Sequence, residues 1–310
     1  MNKPTPKIYR TTNWSTYNRA LINRENIAIW FDPKTQWYAQ PKSKYGRNQT
    51  YSDVAIQCCL MIKSIFRLSL RMVTGFVQSL IKPSGLDWTS PDYSTLCKRQ
   101  KHIDISINYQ KSNDGLHLFV DSTGMKFLGE GEWKRKKHQP EYRRHWRKLH
   151  ICIDAETLQI RAVQLTTNNV SDSQVLGDLL DQIPPNEQID SVYTDGAYDT
   201  KCCRQVISDR QAHAVIPPRK NAKPWKDQKL RSIERNELLK TVKCLGRALW
   251  KKWSGYHRRS LVETKMHCIK LLGDKLCSRN FDSQVNEIHA RVAVLNKFTE
   301  LGRPHTQVVT

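Results

Sequence analysis

"LHICIDAETLQIRAVQLTTN", residues 149–168, alternates apolar and polar positions on either side of Asp154-Ala155-Glu156-Thr157. Two alternating runs around a turn-forming tetrad predict an antiparallel hairpin. Just upstream, "LHLFVDSTG" (116–124) reads as an apolar strand that ends in an acidic turn. Downstream, "SDSQVLGDLLDQI" (171–183) has helical periodicity, Ser171 as its cap and Pro184-Pro185 as its stop. "SVYTDGAYDT" (191–200) is a further strand running into Asp195-Gly196, followed by a short helix and the strand "AHAVIPPR" (212–219). Three antiparallel strands followed by alternating helices and strands predict an α/β fold, a mixed sheet covered by helices. Ligands of open α/β sheets collect at strand ends, where this reading puts both Asp121 and Asp195.

The N-terminal third is helical. Ser52 caps "DVAIQCCLMIKSIF" (53–66), in which Ala55, Cys59, Ile62 and Phe66 recur at helical spacing. "SLRMVTGFVQSLIK" (69–82) follows, and then "GLDWTSPDYSTLCKRQKHI" (85–103), with Ser90 as the expected cap and Pro91 at the first helical position. Three short helices joined by brief turns resemble a helix-turn-helix arrangement, with Ser94, Thr95, Lys98 and Arg99 on the third as candidate DNA contacts. The same spacing also fits an ordinary three-helix bundle with a solvated basic face. Residues 1–50 are irregular, an arm or a loosely packed subdomain.

Charge narrows the partners. The 310 residues carry 51 Lys+Arg against 29 Asp+Glu, a net +22, and the commonest polyanion in a cell is nucleic acid. Ribosome-associated and membrane-surface proteins share such a charge. The chain has no apolar run of the length a membrane span requires, and "MNKPTPKIYRTTNW" at its start lacks an apolar signal segment. Nine cysteines without Cys-x-x-Cys or Cys/His ligand spacing predict no structural zinc site and a reducing cytoplasm.

"GYHRRSLVETKMHCIK" (255–270) reads as a helix with one carboxylate among cations. At about 100° per residue, Tyr256, Arg259, Glu263 and Lys270 fall on one narrow stripe, beside an apolar face of Val262, Met266 and Ile269. Each acid has a plain reading: Asp121 and Asp195 as turn residues, and Glu263 as the i,i+4 partner of Arg259, a pair worth ~0.3–0.5 kcal/mol. Together, in a strongly basic chain, they suit phosphodiester chemistry. There, two hard divalent ions activate the attacking oxygen and stabilise the leaving one, and a few carboxylates hold them.

Tyr256-x2-Arg259-x3-Glu263-x6-Lys270 resembles the signature around the final glutamate of bacterial insertion-sequence transposases of the DDE type. "FVDSTG" and "YTDGAYD" look like their two aspartate segments, and the helical region is similar to that of the fifth insertion-sequence family. The resemblance implies a ribonuclease-H-like catalytic core, residues 113–300, with a basic insertion at about 219–254. A helical DNA-binding region (1–112) would precede it and a tail (301–310) would follow. It implies Asp121, Asp195 and Glu263 as catalytic ligands of Mg2+, with Mn2+ as a substitute, and Tyr256, Arg259 and Lys270 as contacts to the element's DNA end. The implied partners are double-stranded DNA, as terminal inverted repeats and target, and further copies of the chain in a dimeric or larger synaptic complex. A bacterial cytoplasm, at the nucleoid, is the implied location. Two other readings stay open: a ribonuclease-H-like nuclease without strand transfer, and a catalytically silent DNA-binding protein derived from a transposase.

Overall fold

The structure is a computed structural model that describes residues 8–24, 26, 29–41, 48–112, 114–128, 137 and 145–309. Trp133 and Tyr142, within the basic stretch that follows the first strand of the expected core, lie outside the described residues. Two compact units result: Tyr109–Val292, and Met1–Asn108 together with Ala293–Thr310.

In the first-named unit a six-stranded sheet is built on β2 (Leu116–Phe127). β3 (Arg147–Asp154) pairs with it antiparallel, and β4 (Ile160–Thr167) pairs antiparallel with β3. On the other side β5 (Ile189–Tyr193) runs parallel to β2, β6 (His213–Val215) runs parallel to β5, and β7 (Lys275–Leu276) pairs parallel with the end of β2. The order β4-β3-β2-β5-β6, a three-stranded meander extended by parallel strands, is ribonuclease-H-like. The hairpin turn forms because the buried Asp154 carboxylate accepts from the backbone N–H of Thr157 (3.0 Å) and its hydroxyl (2.5 Å), an Asx turn.

Alternation along β2 sorts its side chains. Leu116, Leu118 and Val120 face a core completed by α5 (Asp172–Asp181) and α6 (Lys201–Asp209), through Leu176, Leu180, Cys203 and Ile207. Each such side chain, fully buried, contributes about 1.5–3 kcal/mol. Ser171 begins α5 as expected, its N–H donating to Gln174 Oε1 at 2.9 Å. β2 does not end at Asp121: it continues to Phe127, because β3 stays in register with it as far as Met125.

Residues 219–254, read as basic and without periodicity, contain two helices, α7 (Leu230–Leu245) and α8 (Arg247–Trp253). α7 is held by a buried charge as well as by the packing of Leu238, Leu239 and Val242. Arg235 is buried, donates to both oxygens of the buried Asp199 (2.8–3.1 Å) and lies 4.2 Å from the Trp225 ring centroid. The inward row of α7 has Arg235 ahead of Leu238, Leu239 and Val242, so a charged residue shortens the apolar stripe that would announce the helix. The expected continuous helix over 255–270 is also broken. Tyr256–Arg259 is a 3₁₀ turn, and α9 begins at Ser260 and ends at Leu271.

In the other unit α2 (Asp53–Phe66), α3 (Leu70–Ser84) and α4 (Tyr93–His102) pack pairwise as three helices. Ser52 caps α2, accepting from Ala55 N–H at 3.1 Å, and Arg67 turns the chain in the left-handed region (φ 52°). Asp92, not Ser90, caps α4, accepting from Ser94 N–H at 3.0 Å, and Pro91 stays outside the helix. An aspartate there adds a negative charge to the positive end of the helix dipole. Trp37 and Trp88 stack at 4.6 Å beside Phe31. α1 spans Trp14–Arg24, and β1 (Ile8–Thr11) pairs antiparallel with β8 (Thr306–Val309), so these closing residues form a strand where the sequence reading placed a tail. α10 spans Phe281–Leu301, of which the residues to Val292 belong to the first-named unit and those from Ala293 to this one. Among the described residues no helix is long and apolar enough to cross a membrane.

Candidate active site

Strand register brings the two aspartates to one place. Phe119 on β2 is the register partner of Tyr193 on β5, and their rings meet edge-on at 5.0 Å. Side chains alternate with a period of two, so Asp121 is the next residue on that face of β2. Asp195 comes two residues after Tyr193, just where β5 gives way to a 3₁₀ turn, Gly196–Tyr198. Asp195 caps that turn, accepting from Ala197 N–H at 2.8 Å. Gly196 is needed for closeness: a Cβ there would lie 3.3 Å from the Pro217 carbonyl oxygen. Arg219 clamps the same turn by donating to the carbonyls of Gly196 (3.1 Å) and Ala197 (3.0 Å).

Glu263 sits in the first turn of α9, and Arg259 immediately precedes that helix. The Arg259 guanidinium bridges two acids, with Nη1 on Asp121 Oδ2 at 2.5 Å and Nη2 on Glu263 Oε1 at 2.9 Å. Lys270, in the last turn of α9, donates to Thr123 Oγ1 on β2 at 2.8 Å. Asp121, Ser122, Thr123, Glu263, Met266, His267 and Lys270 line a cleft of about 350 Å³, whose lining does not include Asp195. Burial pushes the Asp121 carboxyl above the usual carboxylate range, with Arg259 pulling the other way.

Tyr256 does not share an exposed stripe with Glu263. It is 7% exposed and packs in a small core with Val215 and Trp250, the Trp250 ring 5.6 Å away. In a 3₁₀ turn residues i and i+3 eclipse, and accordingly the Arg259 guanidinium lies 5.9 Å from the Tyr256 ring centroid. Burial raises the Tyr256 phenol above its ordinary pKa.

Behind the aspartates, on the opposite face of β2, Ser122 donates to Asp172 at 2.8 Å and Lys148 donates to the same oxygen at 3.1 Å. His150 is fully buried, its Nδ1 3.8 Å from that oxygen and its Nε2 3.0 Å from Thr166 Oγ1. Burial holds its pKa down to about 4, so it is neutral. The Tyr198 hydroxyl is buried and has no hydrogen-bond partner among the described residues. Burial, then the charges of Asp172, Asp121 and Asp195, push that phenol far above its ordinary range. Neither this network nor Arg219 and Thr123 stood out in the sequence; only Tyr198 carried a signal, its place in the "DGAY" segment.

The donor chemistry suits a hard divalent cation, because Asp121 and Glu263 already share one cationic group, the Arg259 guanidinium. As placed, no group of three His, Cys, Asp or Glu side chains among the described residues is close enough to hold a metal ion.

Among the candidate DNA contacts of α4, Ser94 and Lys98 are exposed and Thr95 is half-buried. Ser94 donates its hydroxyl to the capping Asp92 at 2.5 Å. Arg99 is engaged within the unit, donating to Asp53 (2.5 Å) and to the Tyr51 carbonyl (2.9 Å). The exposed face of α4 also carries Tyr93, Cys97 and Lys101.

Two family models, each described as a transposase DDE domain, match the sequence, one over residues 22–130 and the other over residues 112–297. The chain belongs to the DDE transposase family. Membership makes it a metal-dependent, DNA-cleaving transposase, and the longer match contains Asp121, Asp195 and Glu263. Among solved structures the transposase is similar, at 15% identity, to a chain in the cryo-electron-microscopy structure of a simian T-cell lymphotropic virus intasome in complex with the PP2A regulatory subunit B56 gamma. That similarity covers 65% of this chain and 68% of the other, with a TM-score of 0.24.

Proposed function

We propose that this transposase, of the fifth insertion-sequence family, binds the terminal inverted repeats of its element, cuts the phosphodiester at the element's end and joins the freed 3′-hydroxyl to target DNA. Asp121, Asp195 and Glu263 are the catalytic carboxylates. One observation supports the assignment: Asp121 and Asp195 each follow by two residues the paired Phe119 and Tyr193, and Arg259 bonds both Asp121 and Glu263.

In cleavage a water oxygen bonds to phosphorus while the bond from phosphorus to the 3′-oxygen breaks, and that oxygen takes a proton. In joining, the 3′-hydroxyl gives up its proton as its oxygen bonds to a target phosphorus, the bond from that phosphorus to the target strand's own 3′-oxygen breaks, and that leaving oxygen takes a proton. Asp121, Asp195 and Glu263 would hold Mg2+, for which Mn2+ substitutes; bound there, the ion lowers the cost of the charge that develops on the attacking and leaving oxygens. Lys270, steadied by Thr123 at the cleft wall, meets a phosphate oxygen of the DNA end, and Arg259 meets a second one. Tyr256, buried against Trp250, supports Arg259 from below. The helical region, residues 1–112, takes the repeat through the exposed Ser94 and Lys98 of α4, with the half-buried Thr95 beside them. Pairing of two ends requires at least a dimer. Both partners are nucleoid DNA in the cytoplasm.

The test is cleavage and joining of labelled DNA carrying the element's terminal repeats, with Mg2+ and with EDTA, for the wild type and Asp195→Asn. Metal-dependent cutting and joining, absent from the variant, is the expected result. Cutting without joining would leave a nuclease, and binding without any metal-dependent chemistry would leave a DNA-binding protein.

A further inference from the structure

Arg259 bonds one oxygen of each of two carboxylates that a divalent ion would need, and the other oxygen of Asp121, Oδ1, already accepts from Ser122 N–H at 2.9 Å. The two terminal nitrogens of Arg259 sit 2.5 Å from Asp121 Oδ2 and 2.9 Å from Glu263 Oε1. A Mg2+ ion takes its oxygens at about 2.0–2.1 Å and requires a near-octahedral shell of oxygen ligands. A guanidinium has only N–H donors and a fixed positive charge, so it cannot enter that shell or share an oxygen lone pair with the ion. A guanidinium and a divalent ion held by the same two acids repel each other at short range, so they compete for this pair.

The guanidinium also has somewhere else to go. Its planar fork matches a phosphate as well as it matches a carboxylate, and the substrate of this enzyme is a chain of phosphates. Arg259 is the last residue of a 3₁₀ turn rather than part of the regular helix, and its side chain is 17% exposed. Glu263 is 59% exposed, so one of its two partners is held only at the surface.

Resting on the proposed catalytic roles of Asp121 and Glu263, we infer that Arg259 is an internal counter-ion that keeps the carboxylates closed to metal until a DNA phosphate draws it away. Metal binding and DNA binding are then coupled, and by linkage each strengthens the other by the same factor. The resting protein, carrying its own cation in the site, takes up divalent metal poorly. The enzyme is thereby kept from cutting until an end is in place.

The experiment is a titration of Mn2+, followed by the electron-paramagnetic-resonance signal of the free ion, on the full-length protein with and without a short duplex of the terminal repeat. Wild type, Arg259→Gln, Arg259→Lys and Asp121→Asn are compared. In the wild type the duplex is expected to tighten Mn2+ binding by a factor within about 5–150, the usual span of such couplings. Arg259→Gln alone is expected to bind Mn2+ more tightly by a similar factor, with the duplex adding nothing. Arg259→Lys, which keeps the charge but cannot fork to both acids, is expected to fall between them, and it carries the test if the glutamine variant does not fold. Wild-type affinity in both Arg259 variants, with binding still lost in Asp121→Asn, would overturn the counter-ion role and leave the catalytic assignment standing. Binding that Asp121→Asn leaves unchanged would overturn both.

Discussion

Arg235 on α7 and Asp199, four residues after Asp195, form a buried ion pair in which the guanidinium reaches both carboxylate oxygens. Arg204 donates to the same carboxylate at 3.1 Å, so one acid serves two buried arginines. This junction fixes α7 beside the turn that carries Asp195, and so it couples the stability of the fold to the geometry of the site. Breaking a buried pair from one side costs about 3–5 kcal/mol, because the charge left behind has no water to turn to.

Asp199→Leu strands two guanidiniums and Arg235→Met strands none, since Arg204 still neutralises Asp199. The aspartate variant is therefore expected to lose the larger amount of stability, about 3–5 kcal/mol, and the arginine variant less. Urea unfolding of the two variants beside the wild type measures this, and equal losses would mean that Arg204 does not share the carboxylate.

The contrast with what the sequence offers is instructive at this junction. Strands β2 to β4 and the helix α5 were legible because each buries one face, and burial of one face writes a period into the chain. The positions of the two aspartates stood out for a related reason, Asp121 directly after an apolar run and Asp195 one residue beyond one. What the pattern concealed was α7, whose anchor is the charged Arg235, and the true extent of β2, which depends on its partner β3 rather than on its own residues. The break at Tyr256 was hidden too. A 3₁₀ turn and an α-helix both bring residues three apart together, so the spacing from Tyr256 to Arg259 did not tell them apart. Arg99 looked like a reader of DNA because only the fold reveals that Asp53 and the Tyr51 carbonyl already hold it.

His150 makes the fold sensitive to acid. The unfolded side chain takes a proton near its ordinary pKa of 6.5, whereas burial delays this to about 4 in the folded chain. Between those values the unfolded state binds more protons, so stability is full above about pH 6.5 and falls as pH drops, by at most about 1.4 kcal/mol per unit. Asp121, with its raised carboxyl, works in the opposite direction, so the difference between wild type and His150→Gln is the quantity to follow. The variant's stability is expected to change less between pH 6.5 and 4. Parallel curves from chemical denaturation across that range would show that the imidazole does not carry the effect.

Glu263 is exposed and lies in the first turn of its helix, so Glu263→Gln is expected to leave the fold and DNA binding intact. Cleavage is expected to fall about a thousandfold or more, the equivalent of several kcal/mol of lost charge stabilisation at the reacting phosphate. Single-turnover cutting of a labelled repeat, alongside a binding isotherm for the same DNA, separates the two effects. A cutting rate equal to that of the wild type would remove Glu263 from the catalytic set.

Lys98 and Arg99 are adjacent on α4 and carry the same charge, yet the fold gives them different work. Lys98 is exposed, and its replacement by alanine is expected to weaken binding to DNA and to lower the salt dependence by about one counter-ion. Arg99 is 14% exposed and donates to Asp53 and to the Tyr51 carbonyl, tying α4 to the start of α2. Arg99→Ala is expected to lower the melting temperature, through the loss of charged hydrogen bonds worth about 1.5–3 kcal/mol, and to leave the slope of binding against salt unchanged. Thermal melts and binding isotherms at several salt concentrations distinguish the two. If Arg99→Ala lowers the salt slope and leaves the melt alone, the guanidinium leaves Asp53 for a phosphate when DNA arrives, and Arg99 is a DNA contact.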